Sequence, residues 1–302
     1  DPTISGNYPN DLDDQSTDNY TYDAAGNLIT DQQAGITTDM TWSVYGKLLT
    51  IPSKSVSYTY DAAGNRIGKT VGSTNTWYVR DAQGNILTTY SGGEMTMQER
   101  DLYGSSRLGI ISNPAAVNTT TQYLDHLGSG TLFTFTRGQK LFELTNHLGN
   151  VLVTVSDKKI GVDNNGDGIN DYYNAYVITA NDYYPFGMEM PGRQFNTTTY
   201  TYSFNGKRDD NDAEYGWQDY GMREYDRRRG QFISVDPITK KYPDLTPYQF
   251  ASDRPVDGAD LDGKEWELRT VKDNLLKEVR AHADDIIARA GTIRDWDGQP
   301  NV

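Results

Sequence analysis

A glycine that returns about every twenty residues constrains this chain more than any other feature. Tyr22-Asp23-Ala24-Ala25-Gly26-Asn27 recurs as Tyr60-Asp61-Ala62-Ala63-Gly64-Asn65, and a third copy is Arg80-Asp81-Ala82-Gln83-Gly84-Asn85. Weaker copies keep the glycine and an aromatic or apolar residue before it, as in Trp42-Ser43-Val44-Tyr45-Gly46-Lys47, Asp101-Leu102-Tyr103-Gly104, Asp125-His126-Leu127-Gly128, Asn146-His147-Leu148-Gly149-Asn150, Tyr184-Pro185-Phe186-Gly187 and Ser203-Phe204-Asn205-Gly206-Lys207. From Gly26 to Gly230 the successive steps are 20, 18, 20, 20, 24, 21, 38, 19 and 24. Each copy reads as a hairpin. Tyr-Asp ends a strand, and the Asp carboxylate accepts from amides two residues on, which starts a turn. Gly supplies the positive φ that a bulged hairpin loop needs, and Asn opens the return strand. One hairpin is marginal in water, so the units must share a buried face.

Composition agrees with a β fold. Hydrophobic residues are only 36%, with a mean hydropathy of -0.72, but 22 Tyr and 29 Gly supply pleated-surface and turn residues. The net charge of -14 disfavours broad nucleic-acid binding by the repeats, because an acidic surface repels phosphate. The basic cluster Arg227-Arg228-Arg229 is expected to be a solvated turn. No cysteine is present, so disulfides and thiolate metal sites are excluded. No apolar run approaches the roughly 18–20 residues of a membrane span, and no signal peptide is legible. The chain opens on Asp1 in what reads as the middle of a repeat, so the missing address is uninformative.

The Tyr-Asp-x-x-Gly-Asn motif at this period resembles the YD repeat of Rhs proteins, toxin-complex C components and teneurins, over roughly residues 20–263. Later segments resemble the Rhs repeat-associated core of the Bacteroidetes type. They are Leu144-Thr145-Asn146-His147-Leu148-Gly149-Asn150-Val151, Asp182-Tyr183-Tyr184-Pro185-Phe186-Gly187-Met188, Tyr220-Gly221-Met222-Arg223-Glu224-Tyr225-Asp226 and Gly230-Gln231-Phe232-Ile233-Ser234-Val235-Asp236-Pro237. The resemblance implies an all-β fold: a β-spiral of stacked hairpins wound into a hollow cocoon that encloses a C-terminal toxin. It also implies a secreted or cell-surface location, with the chain's own C-terminal toxin region, secretion machinery and an immunity protein as partners. The expected divisions are a lead-in over 1–19, repeats over 20–207 with an insertion at 157–182, the closing core segment over 208–263, and a variable C-terminal region over 264–302.

The same resemblance points to Asp236 and Asp260. Members of the family use one Asp-Pro motif and one Asp-Pro-x-Gly-Leu motif as an aspartyl autoprotease that cuts just after the second. Asp236-Pro237 matches the first. Asp260-Leu261-Asp262-Gly263-Lys264 keeps Asp260 and Gly263, but Leu261 replaces Pro and Lys264 replaces Leu. The chemistry asks for two carboxylates about 3 Å apart that share one proton, one activating water while the other stays protonated. Whether residues 24 apart in sequence meet is left open, and Asp262 is a second candidate partner. Asp-Pro and Asp-x-Asp-Gly are also ordinary turn formers.

The insertion contains Asp163-Asn164-Asn165-Gly166-Asp167-Gly168-Ile169-Asn170-Asp171. Side-chain oxygens of Asp163, Asn165, Asp167 and Asp171, with the carbonyl of Ile169, follow the donor order of a Ca²⁺ loop. Asn174 stands where such a loop has its bidentate Glu, and the alternative is an acidic surface turn. Beyond Gly263 the texture changes. Leu268, Val271, Leu275, Val279, Ala283, Ile286 or Ile287 and Ala290 recur at helical spacing, predicting an amphipathic helix that stops near Gly291. His282 beside Asp284 and Asp285 reads as a solvated helix face, and His126 and His147 read as parts of repeat turns. The leading function is therefore a toxin-enclosing shell segment with self-cleavage near Lys264. The alternative is a cell-surface adhesin or carbohydrate-binding module that stacks exposed Tyr on sugars.

Overall fold

The computed structural model describes residues 18–93, 95–112, 121–124, 128–131, 137–197, 200–264 and 266–268. The chain opens with β1 (Tyr20–Tyr22) and β2 (Leu28–Asp31), an antiparallel pair. Next come β3 (Thr41–Trp42), β4 (Leu48–Ile51), β5 (Val56–Tyr60), β6 (Arg66–Val71), β7 (Thr74–Arg80), β8 (Ile86–Ser91), β9 (Thr96–Tyr103) and β10 (Arg107–Ser112). A separate hairpin is formed by β11 (Thr121–Leu124) and β12 (Gly128–Thr131). Then follow β13 (Lys140–Thr145), β14 (Val151–Val162), β15 (Tyr172–Tyr183) and β16 (Glu189–Asn196). Strands β3–β10 and β13–β16 make one open twelve-stranded antiparallel sheet in which sequence neighbours are spatial neighbours. The repeats thus run side by side in one meander.

The repeat turns explain this order. Asp61 Oδ1 accepts from the amides of Ala63 (2.9 Å) and Asn65 (2.8 Å), while its Oδ2 accepts from Asn65 Nδ2 at 3.0 Å. Asp23 with Asn27, and Asp81 with Asn85, repeat the same three bonds. The strand register slips at the residue before each Asp, as at Thr59/Tyr60 and Val79/Arg80, which is the expected bulge. Gly64 takes φ +85°, the conformation an L side chain resists.

After the meander the chain folds back across it. Strands β17 (Arg208–Asp209), β18 (Trp217–Asp219), β19 (Glu224–Asp226) and β20 (Gln231–Phe232) form a small four-stranded sheet, and β21 (Gly258–Asp260) pairs with β22 (Trp266–Leu268). Buried Trp217 and Ile233 pack with Leu28, Leu48, Ile51 and Val56 from the early strands. Tyr200 and Tyr202 pack with Ile110, Leu141, Val151 and Ile178 from the later ones. A third cluster is almost wholly aromatic: Phe204, Tyr220, Tyr225, Phe232 and Phe250, with the Tyr225 and Phe250 rings 4.2 Å apart. Stacked and edge-on rings supply the apolar area that a lean aliphatic content does not.

Two expectations are corrected. Arg227-Arg228-Arg229 is no solvated turn. Arg227 is buried, 3.3 Å from Glu189 and 3.6 Å from Asp209. Arg228 reaches the buried Asp31 at 2.5 Å, and Arg229 lies over the Tyr20 ring at 4.2 Å. Arg228 and Arg229 fasten the closing segment to β1 and β2, the strand pair that precedes the meander, while Arg227 ties it to β16 and β17. Leu268, expected in the first turn of a helix, lies in β22 instead, where it pairs with Gly258. The rest of the expected helix, with His282, Asp284, Asp285 and Gly291, lies outside the described residues, as does His126. Among the described residues no helix is long and apolar enough to cross a membrane.

Candidate functional site

Asp236 follows β20 and begins the turn that Pro237 permits. Its Oδ1 accepts from the Ile238 amide at 2.8 Å, its carbonyl from Thr239, and its own amide donates to Pro247 O at 2.9 Å. Asp260 ends β21, and its Oδ1 accepts from the Gly263 amide at 2.6 Å. Both carboxylates are buried, at 2% and 1% exposure. The fold brings them to one guanidinium. Arg223 Nη2 lies 3.1 Å from Asp236 Oδ2 and 3.8 Å from Asp260 Oδ2.

Arg223 was quoted in the sequence only as part of a motif. It comes from the turn before β19, lies face-on to the Phe232 ring at 3.7 Å, and donates from Nη1 to Pro247 O. Its Nε donates to the Gly263 carbonyl, so one side chain holds both acids and the backbone just before Lys264. Burial pulls this guanidinium down to about 10, and the two carboxylates work in the other direction. A signal did exist in the sequence. Arg223 is a charged residue set among Tyr220, Met222 and Tyr225, a setting in which a cation needs buried acids.

The two acids are not equivalent. Burial raises Asp260 to about 6, against the opposing effects of Arg223, the Gly263 amide and Lys207. The contact of Asp236 Oδ2 with Arg223 Nη2 is close but poorly aligned, and both atoms are buried with no hydrogen-bond partner among the described residues. That carboxylate oxygen therefore meets Arg223 as an ion pair and not through an aligned hydrogen bond. The sequence reading asked for two acids sharing a proton; the structure interposes an arginine between them. Asp262 takes no part in the pair: its carboxylate faces Lys264 Nζ at 2.8 Å, while its carbonyl accepts from Met222 N.

Gly263 fixes the junction. It has φ +82°, and a Cβ there would stand 2.9 Å from Arg223 N. Lys264 lies in the turn that the Asp260–Trp266 pair closes. The β21–β22 pair thus fixes the ends of this turn, and Arg223 holds its Gly263 carbonyl.

A second buried charge cluster joins the meander to the closing segment. Arg66 on β6 meets Asp210 at 2.6 Å, Asp219 at 3.6 Å, and Glu224. Tyr58 OH and Lys69 also bond Asp210. Burial pushes the Glu224 carboxyl up, while Arg66 and Lys69 prevail over burial at Asp210 and hold it low. Glu224 and Arg223 are adjacent, so the entry to β19 presents opposite charges to the two clusters.

In the insertion, loop 163–171 joins β14 to β15 and is exposed. Asp163 accepts from the amides of Gly166 (2.7 Å) and Gly168 (2.8 Å), Asn165 from Asp167, Asp167 from Ile169, and Asp171 from Asn164. The side-chain oxygens expected to hold Ca²⁺ accept from the loop's own amides. Among the described residues no three His, Cys, Asp or Glu side chains are grouped as a metal requires.

No family profile and no curated protein matches the chain. Solved structures resemble it at low identity. The crystal structure of TcdB2-TccC3-TEV is 15% identical over 80% of this chain and 11% of its own length, with a TM-score of 0.47. The crystal structure of TcdB2-TccC3-Cdc42 is 16% identical over 81% of this chain and 13% of its own, with a TM-score of 0.41. A Tc holotoxin pore from Photorhabdus luminescens is 14% identical over 84% of this chain and 13% of its own, with a TM-score of 0.41. The structures it resembles are toxin-complex chains. This chain spans about an eighth of their length.

Proposed function

We propose that this chain is a shell segment of a secreted Rhs-type toxin, enclosing a C-terminal toxin region that Asp236 and Asp260 release by cutting near Lys264. The observation that carries the reading is the convergence of both acids and the Gly263 carbonyl on Arg223. Buried acids in unequal surroundings are the arrangement that divides acid from base. Asp260, raised to about 6, is the proton carrier, and Asp236, whose Oδ2 lies against the Arg223 cation, is the base. In the reaction Asp236 takes a proton from water, and the water oxygen bonds to the carbonyl carbon. The C–N bond breaks as Asp260 gives its proton to the leaving nitrogen. The products are a carboxylate and an amine, with no other reactant.

Intact mass of the folded chain tests this. Two fragments are expected, joining near Lys264, whose masses distinguish cleavage on its two sides. Asp236→Asn should stay whole. A single uncut species in both proteins rejects the reading. The adhesin alternative has the exposed Tyr45, Tyr172 and Tyr173 in its favour, and glycan-array binding by the uncut Asp236→Asn chain would support it.

For loop 163–171 we propose weak Ca²⁺ binding, carried by the donor order in the sequence alone. At 10 mM Ca²⁺ and a dissociation constant of about 1 mM, stabilisation of about 1.4 kcal/mol is expected. A melting temperature unchanged by Ca²⁺, or raised equally in Asp163→Asn, ends the proposal.

A further inference from the structure

Among the described residues, Lys207 bonds the junction loop and, like Arg223, lies near enough to Asp260 to favour its ionised form. It leaves the turn Phe204–Gly206, where Lys207 N donates to Phe204 O and Lys207 O accepts from Ser203 N. The residue is thus placed by backbone bonds and not by its charge. Its Nζ donates to the Leu261 carbonyl, in the first residue after Asp260, and lies 4.9 Å from the centre of the Tyr220 ring. No carboxylate is within ion-pair distance of it among the described residues. Part of its surface opens on a cleft of about 280 Å³ that Arg80, Arg107 and Arg208 also line, with Asp219 and Asp262 as the acids.

A crowded ammonium in this position would be a poor choice for stability alone. Burial pulls Lys207 below its ordinary value, and Asp260, Asp219 and Asp262 oppose that, Asp260 most strongly. Arg107 adds repulsion. An uncharged residue could fill the same space at less desolvation cost. The charge has a geometric use. The three carbonyls of loop 261–263 are each held: Leu261 O by Lys207, Asp262 O by Met222 N, and Gly263 O by Arg223. Two of these three donors come from the Arg223 turn, and Lys207 comes from a separate segment of the chain.

We propose that Lys207 is a positioning residue for chain cleavage, clamping the Leu261 carbonyl so that the Gly263–Lys264 stretch stays over the Asp236–Asp260 pair. The inference rests on the cleavage reading above. Lys207 also acts on the proton of Asp260. A nearby cation favours the ionised acid, so its removal raises Asp260 further. Cleavage that needs protonated Asp260 falls as pH rises through about 6. Without Lys207 this alkaline limb moves to higher pH while the maximum rate drops.

The test uses the 302-residue chain, purified unfolded from inclusion bodies and refolded by dilution into buffers from pH 4 to 9, with cleavage followed by intact mass. Lys207→Met should cut roughly tenfold or more slowly than wild type at its best pH, since small misplacements of reacting groups are that costly. The midpoint of its alkaline limb should rise by about half a pH unit or more. Lys207→Arg, which keeps donor and charge, should return both values towards wild type. Urea midpoints of all three report folding separately. If Lys207→Met cuts at the wild-type rate with the wild-type midpoint, Lys207 has no such role and the Asp236–Asp260 reading stands. A slower rate with an unmoved limb and a lowered urea midpoint reduces Lys207 to a structural residue. A wild type that stays whole at every pH, like Asp236→Asn, removes the cleavage reading and this inference with it.

Discussion

The twelve-stranded meander and the segment that closes it are stabilised in opposite ways. In the meander the polar bonds that define each turn span two to four residues and are exposed, as at Asp61 and Asp81. In the closing segment the defining bonds cross much of the chain and are wholly or partly buried, as with Arg66 to Asp210 and Arg228 to Asp31. A local, solvated bond can be lost at little cost because water replaces it. A buried charge that loses its partner has no such substitute. Damage in the meander should therefore be graded and small, and damage in the closing segment large.

The sharpest test of that contrast is Arg66→Met. It strands Asp210, Asp219 and Glu224 without their common guanidinium, and breaking a buried pair costs about 3–5 kcal/mol. Urea unfolding should show a loss of that size, and a loss under about 1 kcal/mol would place Arg66 with the exposed turn residues.

The next effect belongs to Asp260 and depends on pH. Its proton is bound more tightly in the folded chain, at about 6, than at the ordinary value of 3.8. Its contribution to stability is thus fullest below about pH 4, is lost as pH climbs towards 6, and is flat above. Two pH units correspond to about 3 kcal/mol. Asp260→Asn should lack this slope. Urea unfolding from pH 4 to 7, carried out on an Asp236→Asn background to keep the chain whole, checks it; parallel curves for the two proteins would count against a buried, proton-holding Asp260.

The smallest effects should lie in the turns, and their order is informative. An alanine in a left-handed turn costs about 1–2 kcal/mol. Gly46→Ala should show that cost alone, since nothing lies within 4 Å of its Cβ position. Gly64→Ala adds a contact at 3.1 Å with Lys47 Cε, which can bend away. Gly26→Ala meets Val235 at 2.7 Å and Tyr248 at 3.0 Å, because the closing segment lies over that turn. Melting temperatures should fall in the order Gly26, Gly64, Gly46, with Gly26 losing most. Equal losses at all three would mean that the closing segment does not load the repeat beneath it.

Much of the meander was legible in the residues. Tyr60, Asp61, Gly64 and Asn65 build their turn from atoms within a few positions of one another, so spacing and side-chain chemistry suffice to predict it. The bulge and the positive φ follow from the same local bonds. The closing segment was legible only as a motif. Its arginines read as solvated because a run of like charges usually is, and the acids that meet them lie near residues 31, 189 and 209.

Asp236 and Asp260 divide the same way. Each acid could be named from its own neighbours, Pro237 in one case and Gly263 in the other. That they meet at Arg223, and that Lys207 reaches the loop after Asp260, depends on strands β17 to β22 folding back over the sheet. Sequence alone settles what is bonded within a turn, because the chain connectivity already holds those atoms close. Only the tertiary structure decides which distant charges share a buried site, because that choice is made by packing and desolvation over the whole molecule.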